Sequence, residues 1–242
     1  MSKTECSSKS SLPHPDGHPP LTVLDLGRAS YSLTLDLQLR LVERVKSSRE
    51  ELAFLVLVEH DPPVITLGRS GKEAHVLLSR DELARRGFEV FETNRGGDVT
   101  YHGPGQIVGY PILRVDLHGR DAHRYLRDIE EVLITTIAHF GVEGHRVEGL
   151  TGVWVGNAKI AATGVALSHW VSYHGFALNV STDLSHFSAI VPCGITDKGV
   201  TSLSALLERT VTVEEVKPVL IECTARVFGF DSARHAQPEM IR

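Results

Sequence analysis

Cysteine is scarce in this chain. Cys6, Cys193 and Cys223 are the three thiols in 242 residues. An odd, sparse set does not make a disulfide framework and points to a reducing cytosol. None of the three has a cysteine partner at metal-site spacing. The 13 histidines are scattered, with no His-x-x-x-His pair on a helix face beside an acid. A metal centre is therefore not expected. Long apolar runs are also missing; none approaches the roughly 20 residues needed to span a bilayer. No apolar stretch precedes Leu21, which excludes a secretory signal. Excess basic charge is absent too: the formal net charge is −5, which argues against nucleic acid as a main partner. A cytoplasmic monomer without a cofactor is expected.

What is present suits a globular domain. The hydrophobic share of 42% and charged share of 23% are ordinary. A chain this long can bury a sizeable core without staples. Residues 1–20 carry Pro13, Pro15, Pro19, Pro20 and five serines, which reads as a disordered tail holding Cys6. Residues 21–230 read as the domain, and 231–242 as a C-terminal tail.

Within the domain, strands are expected over 21–27, 53–59, 64–67, 88–93, 99–102, 107–115, 153–155, 159–167 and 173–180. The leucines of 33–41 alternate like a strand and also fit a helical stripe. Leucine outnumbers β-branched residues there, so a helix over 31–49 is the better reading. Further helices are expected over 81–86, from an Asp121 cap to Phe140, and from about Thr212, where Thr-Val-Glu-Glu215 suggests a capping box. Pro218 implies a kink or a later start to that last helix. Cys223 falls on its apolar stripe and reads as a small buried hydrophobe. Meandering strands broken by a few long helices make an α+β fold: one domain with a mixed, largely antiparallel sheet and flanking helices.

Three segments carry chemistry. Asn94–Gln106 is dense in Gly and Pro around Arg95, Asp98, Thr100, Tyr101 and His102. It is neither a Walker loop nor a dinucleotide fingerprint, and reads as a ligand-binding loop. Lys159 sits among Ile, Ala, Thr and Gly, where a substrate can pack close to its ammonium. Taken alone it also reads as a solvated lysine on a strand face. Cys193 lies in a Pro-Cys-Gly turn, poorly placed as core filler and well placed as a nucleophile. A nearby cation would lower its pKa, and a thiol suits thioester exchange. His102 and His174 are alternative bases by residue type. Basic residues gather at Arg114, His118, Arg120, His123, Arg124 and Arg127. That cluster reads either as a solvated helix edge or as a docking patch for an acidic partner.

Four motifs in order, Arg95-Gly-Gly-Asp-Val-Thr-Tyr-His-Gly-Pro-Gly-Gln106, Gly149-Leu-Thr-Gly-Val-Trp-Val with Lys159-Ile-Ala, His174-Gly-Phe-Ala-Leu-Asn179, and Pro192-Cys-Gly-Ile195 with Val200-Thr-Ser-Leu203, resemble the lipoyl(octanoyl) transferases. The resemblance spans about 21–230. It implies the α+β fold shared with biotin and lipoate protein ligases, with Cys193 as nucleophile and Lys159 as its pKa-lowering partner. It also implies an acyl pocket of Arg95, Gly96, Gly97, Asp98, Val99, Thr100, Tyr101, His102, Ala161, Ala162, Thr163, His174, Gly175 and Phe176. Thr163 stands where an aliphatic residue is expected. The implied reaction is octanoyl transfer from octanoyl-acyl carrier protein, through a Cys193 thioester, to a lysine of lipoyl domains. These acceptors belong to 2-oxoacid dehydrogenases and the glycine cleavage H protein. No ATP, metal or other cofactor is required.

Overall fold

A computed structural model of the protein describes residues 19–191 and 198–237. Most of the expected N-terminal tail with Cys6, the turn carrying Cys193, and the last five residues lie outside the described residues. The chain opens with β1 (Leu21–Ala29), α1 (Tyr31–Ser47), β2 (Phe54–His60), β3 (Val64–Leu67), α2 (Arg80–Arg85), β4 (Glu89–Glu92), β5 (Val99–His102) and β6 (Gln106–Ile112). It continues with α3 (Ala122–His139), β7 (His145–Val147), β8 (Leu150–Val155), β9 (Ala158–Ser168) and β10 (Val171–Asn179). It closes with β11 (Gly199–Val200), α4 (Leu203–Leu207), α5 (Val213–Phe228) and β12 (Ala233–His235).

The described strands form a mixed main sheet in the order β12-β1-β2-β6-β10-β9-β8-β7, with β11 added beside β9. Within this sheet only β12–β1, β1–β2 and β11–β9 pair in parallel among the described strands. A second sheet, β4-β3-β5, leans on the first. This is the expected α+β class.

Helices cover both faces of the main sheet. Leu55, Leu57 and Ile107 join a core with α3 and α5. Their neighbours Val56, Val58 and Val108 join a second core with Leu37, Leu41 and Val45 of α1. Successive side chains of a strand point to opposite faces, so covering both faces demands an unbroken apolar run, which β2 supplies. The leucines of α1 follow the helical reading: Leu37, Leu41 and Val45 are buried while Leu33 and Leu39 face outward. Ser30 caps that helix through the Leu33 N–H, and Asp121 caps α3 through the N–H groups of His123 and Arg124.

Two expectations need correction. The segment 231–242 is not wholly a tail, because Ala233–His235 pairs with Leu21–Val23 at the sheet edge. Three exposed residues without alternation leave no periodic signal to read. Pro218 does not delay α5, which starts at Val213 and runs on to Phe228. In its second turn the missing proline N–H leaves only the Glu214 carbonyl without its i+4 donor. Among the described residues, no helix is long and apolar enough to cross a membrane.

Candidate active site

Lys159 owes its direction to an irregularity in β9. Trp154 pairs with Lys159 and Val153 with Ala161, so Ile160 is an extra residue opposite β8. A bulge of this kind re-aims the side chain beside it. Ile160 and Ala161 both enter the core under α3, while Lys159 and Ala162 face a cavity on the other side. Lys159 is 7% exposed, which rules out the solvated reading. Its Nζ lies 4.8 Å from the centroid of the Trp154 ring, and its carbonyl accepts from the Thr201 N–H. β11 runs alongside, with Val200 opposite Lys159.

The Arg95–Asp98 loop forms another wall. The Arg95 guanidinium is buried and donates to the Thr66 carbonyl and hydroxyl and to the carbonyls of Gly96 and Asp98. It therefore knits the loop to β3 while bordering the cavity. Gly68 is required beneath it, since a Cβ there would lie 2.4 Å from the Gly97 oxygen. The Asp98 carboxylate accepts from His75 Nδ1 at 2.5 Å and from the backbone N–H of Lys72 and Val99. The His75 carbonyl in turn accepts from the Val191 N–H, at the start of the approach to Cys193.

Buried neutral histidines line the inner part. His102 donates through Nδ1 to the Gln106 side-chain oxygen at 2.9 Å. Burial, then the nearby His60 and Arg95, hold its pKa well below the usual histidine range. His174 sits at φ 56, a left-handed conformation costly for a side chain this size. Its N–H leaves the ladder and donates to Gln38 of α1, and its ring meets Asn94 at 3.0 Å. Burial, with Arg95 beside it, lowers the His174 pKa to about 4. Both rings are thus uncharged near neutrality and poor proton acceptors. His60, hydrogen-bonded to Tyr110 at 2.7 Å, is likewise lowered to about 4 by burial.

These walls border one cavity between β3, β5, β6, β9 and β10. Of the expected pocket residues, Arg95, Gly97, Asp98, Val99, Thr100, His102, Ala162, Thr163, His174, Gly175 and Phe176 border it, together with Lys159. Gly96, Tyr101 and Ala161 do not. Gly96 binds Val165 through its backbone, and the Tyr101 hydroxyl turns to His186 at 2.8 Å among Phe88 and Phe187. Ala161 lies in the opposite core. Phe176 reaches its position because β6 has Gly109 under its ring, where a Cβ would lie 2.1 Å from Cζ. A second, smaller cavity shares Thr100, Lys159, Ala162 and Ala177 with the first, so Lys159 stands where the two meet.

Tyr31, Thr66, Tyr110 and Thr151 also border the cavity, and sequence reading missed them. Tyr31, Thr66 and Tyr110 come from three separate elements with no local motif, so no spacing signal points to them; Thr151 lies inside the Gly149-to-Val155 motif, where its residue type alone does not mark it as a lining residue. Among the described residues, no cluster of histidine, cysteine, aspartate or glutamate could hold a metal ion. Cys223 is buried in α5, as its position in the stripe suggested.

The profile of the lipoyl protein ligase A/B catalytic domain matches residues 30–225. An octanoyltransferase of Solibacter usitatus is 51% identical over 209 residues, covering 85% of this chain and 92% of that one. The chain belongs to the octanoyltransferase family. A second relative, the octanoyltransferase of Caldicellulosiruptor saccharolyticus, is 46% identical over 211 residues, covering 86% of this chain and 89% of that one. Among solved structures, a putative lipoate protein ligase from T. acidophilum with bound lipoic acid superposes with a TM-score of 0.71 at 17% identity, over 93% and 92% of the two chains. At that identity the likeness speaks for the fold, which this family shares with the ligases.

Proposed function

We propose that this protein transfers an octanoyl group from acyl carrier protein to a lysine of a lipoyl domain, through a thioester on Cys193. The observation that carries the reading is a buried lysine on the wall of a cavity in a chain whose relatives are octanoyltransferases. The Cys193 thiolate attacks the donor thioester carbonyl. The bond from carbonyl carbon to the carrier's sulfur breaks, and the carrier leaves as a thiol after taking a proton. The acceptor lysine amine then attacks the acyl-enzyme. An amide forms, the carbon–sulfur bond to Cys193 breaks, and the amine proton passes to a base. Lys159 stabilises the thiolate by charge in the first half and handles the proton in the second. Support comes from β11, which holds Val200, seven positions after Cys193, against Lys159.

Intact mass after incubation with octanoyl-acyl carrier protein tests this directly. A hydroxylamine-labile octanoyl adduct is expected on the native chain and none on Cys193→Ala. An adduct that survives Cys193→Ala, or acceptor modification that requires ATP and a free acid, would overturn it.

A further inference from the structure

Alternation along β10 assigns His174 to the face of the sheet under α3. Phe176 and Leu178 pack in the core with α3 and α5, while Tyr173 and Ala177 pack in the core with α1. Successive side chains of a strand point to opposite faces, so His174 belongs by position with Phe176 and Leu178. Its ring nevertheless lies on the α1 side. The ring centroid is 4.9 Å from that of Tyr173 and 6.5 Å from that of Tyr110, and His174 borders the cavity. The reversal comes from φ 56 at this one residue. Such a conformation is costly for a side chain of this size and persists only where the surroundings over-determine it. Two groups do so. Gln38 of α1 is fully buried, and its Oε1 accepts from the His174 N–H at 2.8 Å. The Gln38 Nε2 is buried without a partner, so a leucine would be cheaper at this helix position but for that one bond through Oε1. At the far side of the ring, His174 Nε2 meets Asn94 Oδ1 at 3.0 Å. Asn94 Nδ2 donates to the Tyr173 hydroxyl, which leaves Oδ1 as the acceptor and puts the ring proton on Nε2.

Resting on the transferase reading above, we infer that Gln38 is a positioning residue of the acyl cavity: by taking the His174 amide out of the strand ladder it turns the imidazole from the α3 face onto the cavity wall. Asn94 then fixes the ring's orientation from the other side. Gln38 itself does not border the cavity, and it acts on the acyl group only through His174. His174 pairs with Val165, six residues along β9 from Lys159. That separation is on the order of 15–20 Å of strand, so the ring meets the acyl chain rather than the reacting carbonyl beside Lys159. Gln38 therefore serves binding of the donor, and the bond-making steps at the carbonyl are left as they are.

The test uses the full-length chain, octanoyl-acyl carrier protein and a lipoyl domain. Gln38→Met keeps the length of the side chain and removes the acceptor. It is expected to raise KM for the donor by about tenfold, the effect of moving one wall group of an apolar pocket, with kcat within about threefold of native. His174→Gly adopts a left-handed conformation without strain and carries no ring. It should raise KM equally, and Gln38→Met should add nothing in that background. Gln38→Glu keeps an oxygen acceptor and should hold KM within about threefold of native, as expected if only the bond through Oε1 matters. Nitrogen NMR of the ring should show the Nε2-protonated form in the native chain and a mixture of tautomers in Gln38→Met. Additive effects of the two substitutions on KM, a loss confined to kcat, or an unchanged tautomer would overturn the inference. So would a Gln38→Glu variant as impaired as the methionine one, a comparison with the native chain that decides by itself if Gln38→Met does not fold. Calorimetry with free octanoic acid separates this from failure of the transferase reading. If the donor is not turned over, weaker binding of octanoic acid to Gln38→Met than to the native chain still supports the positioning role, and equal binding refutes it.

Discussion

Lys159 adds a second cation to a wall that Arg95 also borders, and its Nζ lies over the Trp154 ring. Replacing it with Met keeps the volume of the stem and removes the charge. The expected result is a loss in kcat of about a hundredfold or more, with little change in KM for the donor, measured by octanoylation of a lipoyl domain. Gly175 makes a different demand. A Cβ there would lie 2.2 Å from the Gly109 oxygen and 2.7 Å from Pro111 Cδ. Backbone and a proline ring cannot yield cheaply, so Gly175→Ala should destabilise the fold by at least about 2 kcal/mol, read as a lower urea midpoint. The buried histidines set the acid limb of stability. His60 and His174 take up a proton in the folded chain only near pH 4, against about 6.5 in the unfolded chain. Between those values the unfolded state binds more protons. Their contribution is therefore complete above about pH 6.5 and is lost as pH falls towards 4, by up to about 1.4 kcal/mol per pH unit for each ring. Urea midpoints measured from pH 7.5 to 5 should show this slope, and His60→Gln should flatten it.

Elements here act through the connections between them. The segment 72–77 binds Asp98 on one side through Lys72 and His75. On the other it holds residues 189–191, through Leu77 N–H to Ala189 O and Val191 N–H to His75 O. It therefore links the cavity rim to the chain entering Cys193. Asp98→Asn removes the charge from the His75 contact. It should raise amide exchange at 189–191 and lower kcat about tenfold while leaving KM for the donor near its native value. Local periodicity revealed most elements: α1 from its leucine stripe, α3 from its Asp121 cap, β2 from its apolar run. The strands β7, β11 and β12 are two or three residues long and owe their existence to neighbours rather than to their own pattern. The β9 bulge is likewise invisible in sequence, because Lys159 to Ala162 reads as ordinary alternation until β8 is laid against it.

At the scale of the molecule, two helical layers sandwich the sheet, and the cavity opens between that sheet and the smaller β4-β3-β5 sheet. The basic cluster expected from sequence lies around the N-terminus of α3. Arg114 there is neutralised by Asp116 at 2.9 Å, and Arg120 rests over the Trp170 ring at 5.1 Å. Arg124 and Arg127 remain exposed. If this face meets an acidic partner, reversing both to Glu should lower kcat/KM several-fold at low salt. The difference should vanish near 1 M salt, where the Debye length is about 3 Å. Equal kinetics at both salts would assign the cluster to solvent alone. The sequence by itself determined the fold class, the long elements, the family and the glycine-rich loop, because these rest on local periodicity and contiguous motifs. Tertiary structure alone decided that Lys159 is buried, that Tyr101 and Ala161 turn from the cavity, and that Tyr31 of α1 joins its wall. Those outcomes depend on a bulge, a strand register and the meeting of elements far apart in the chain, none of which any local stretch of sequence encodes.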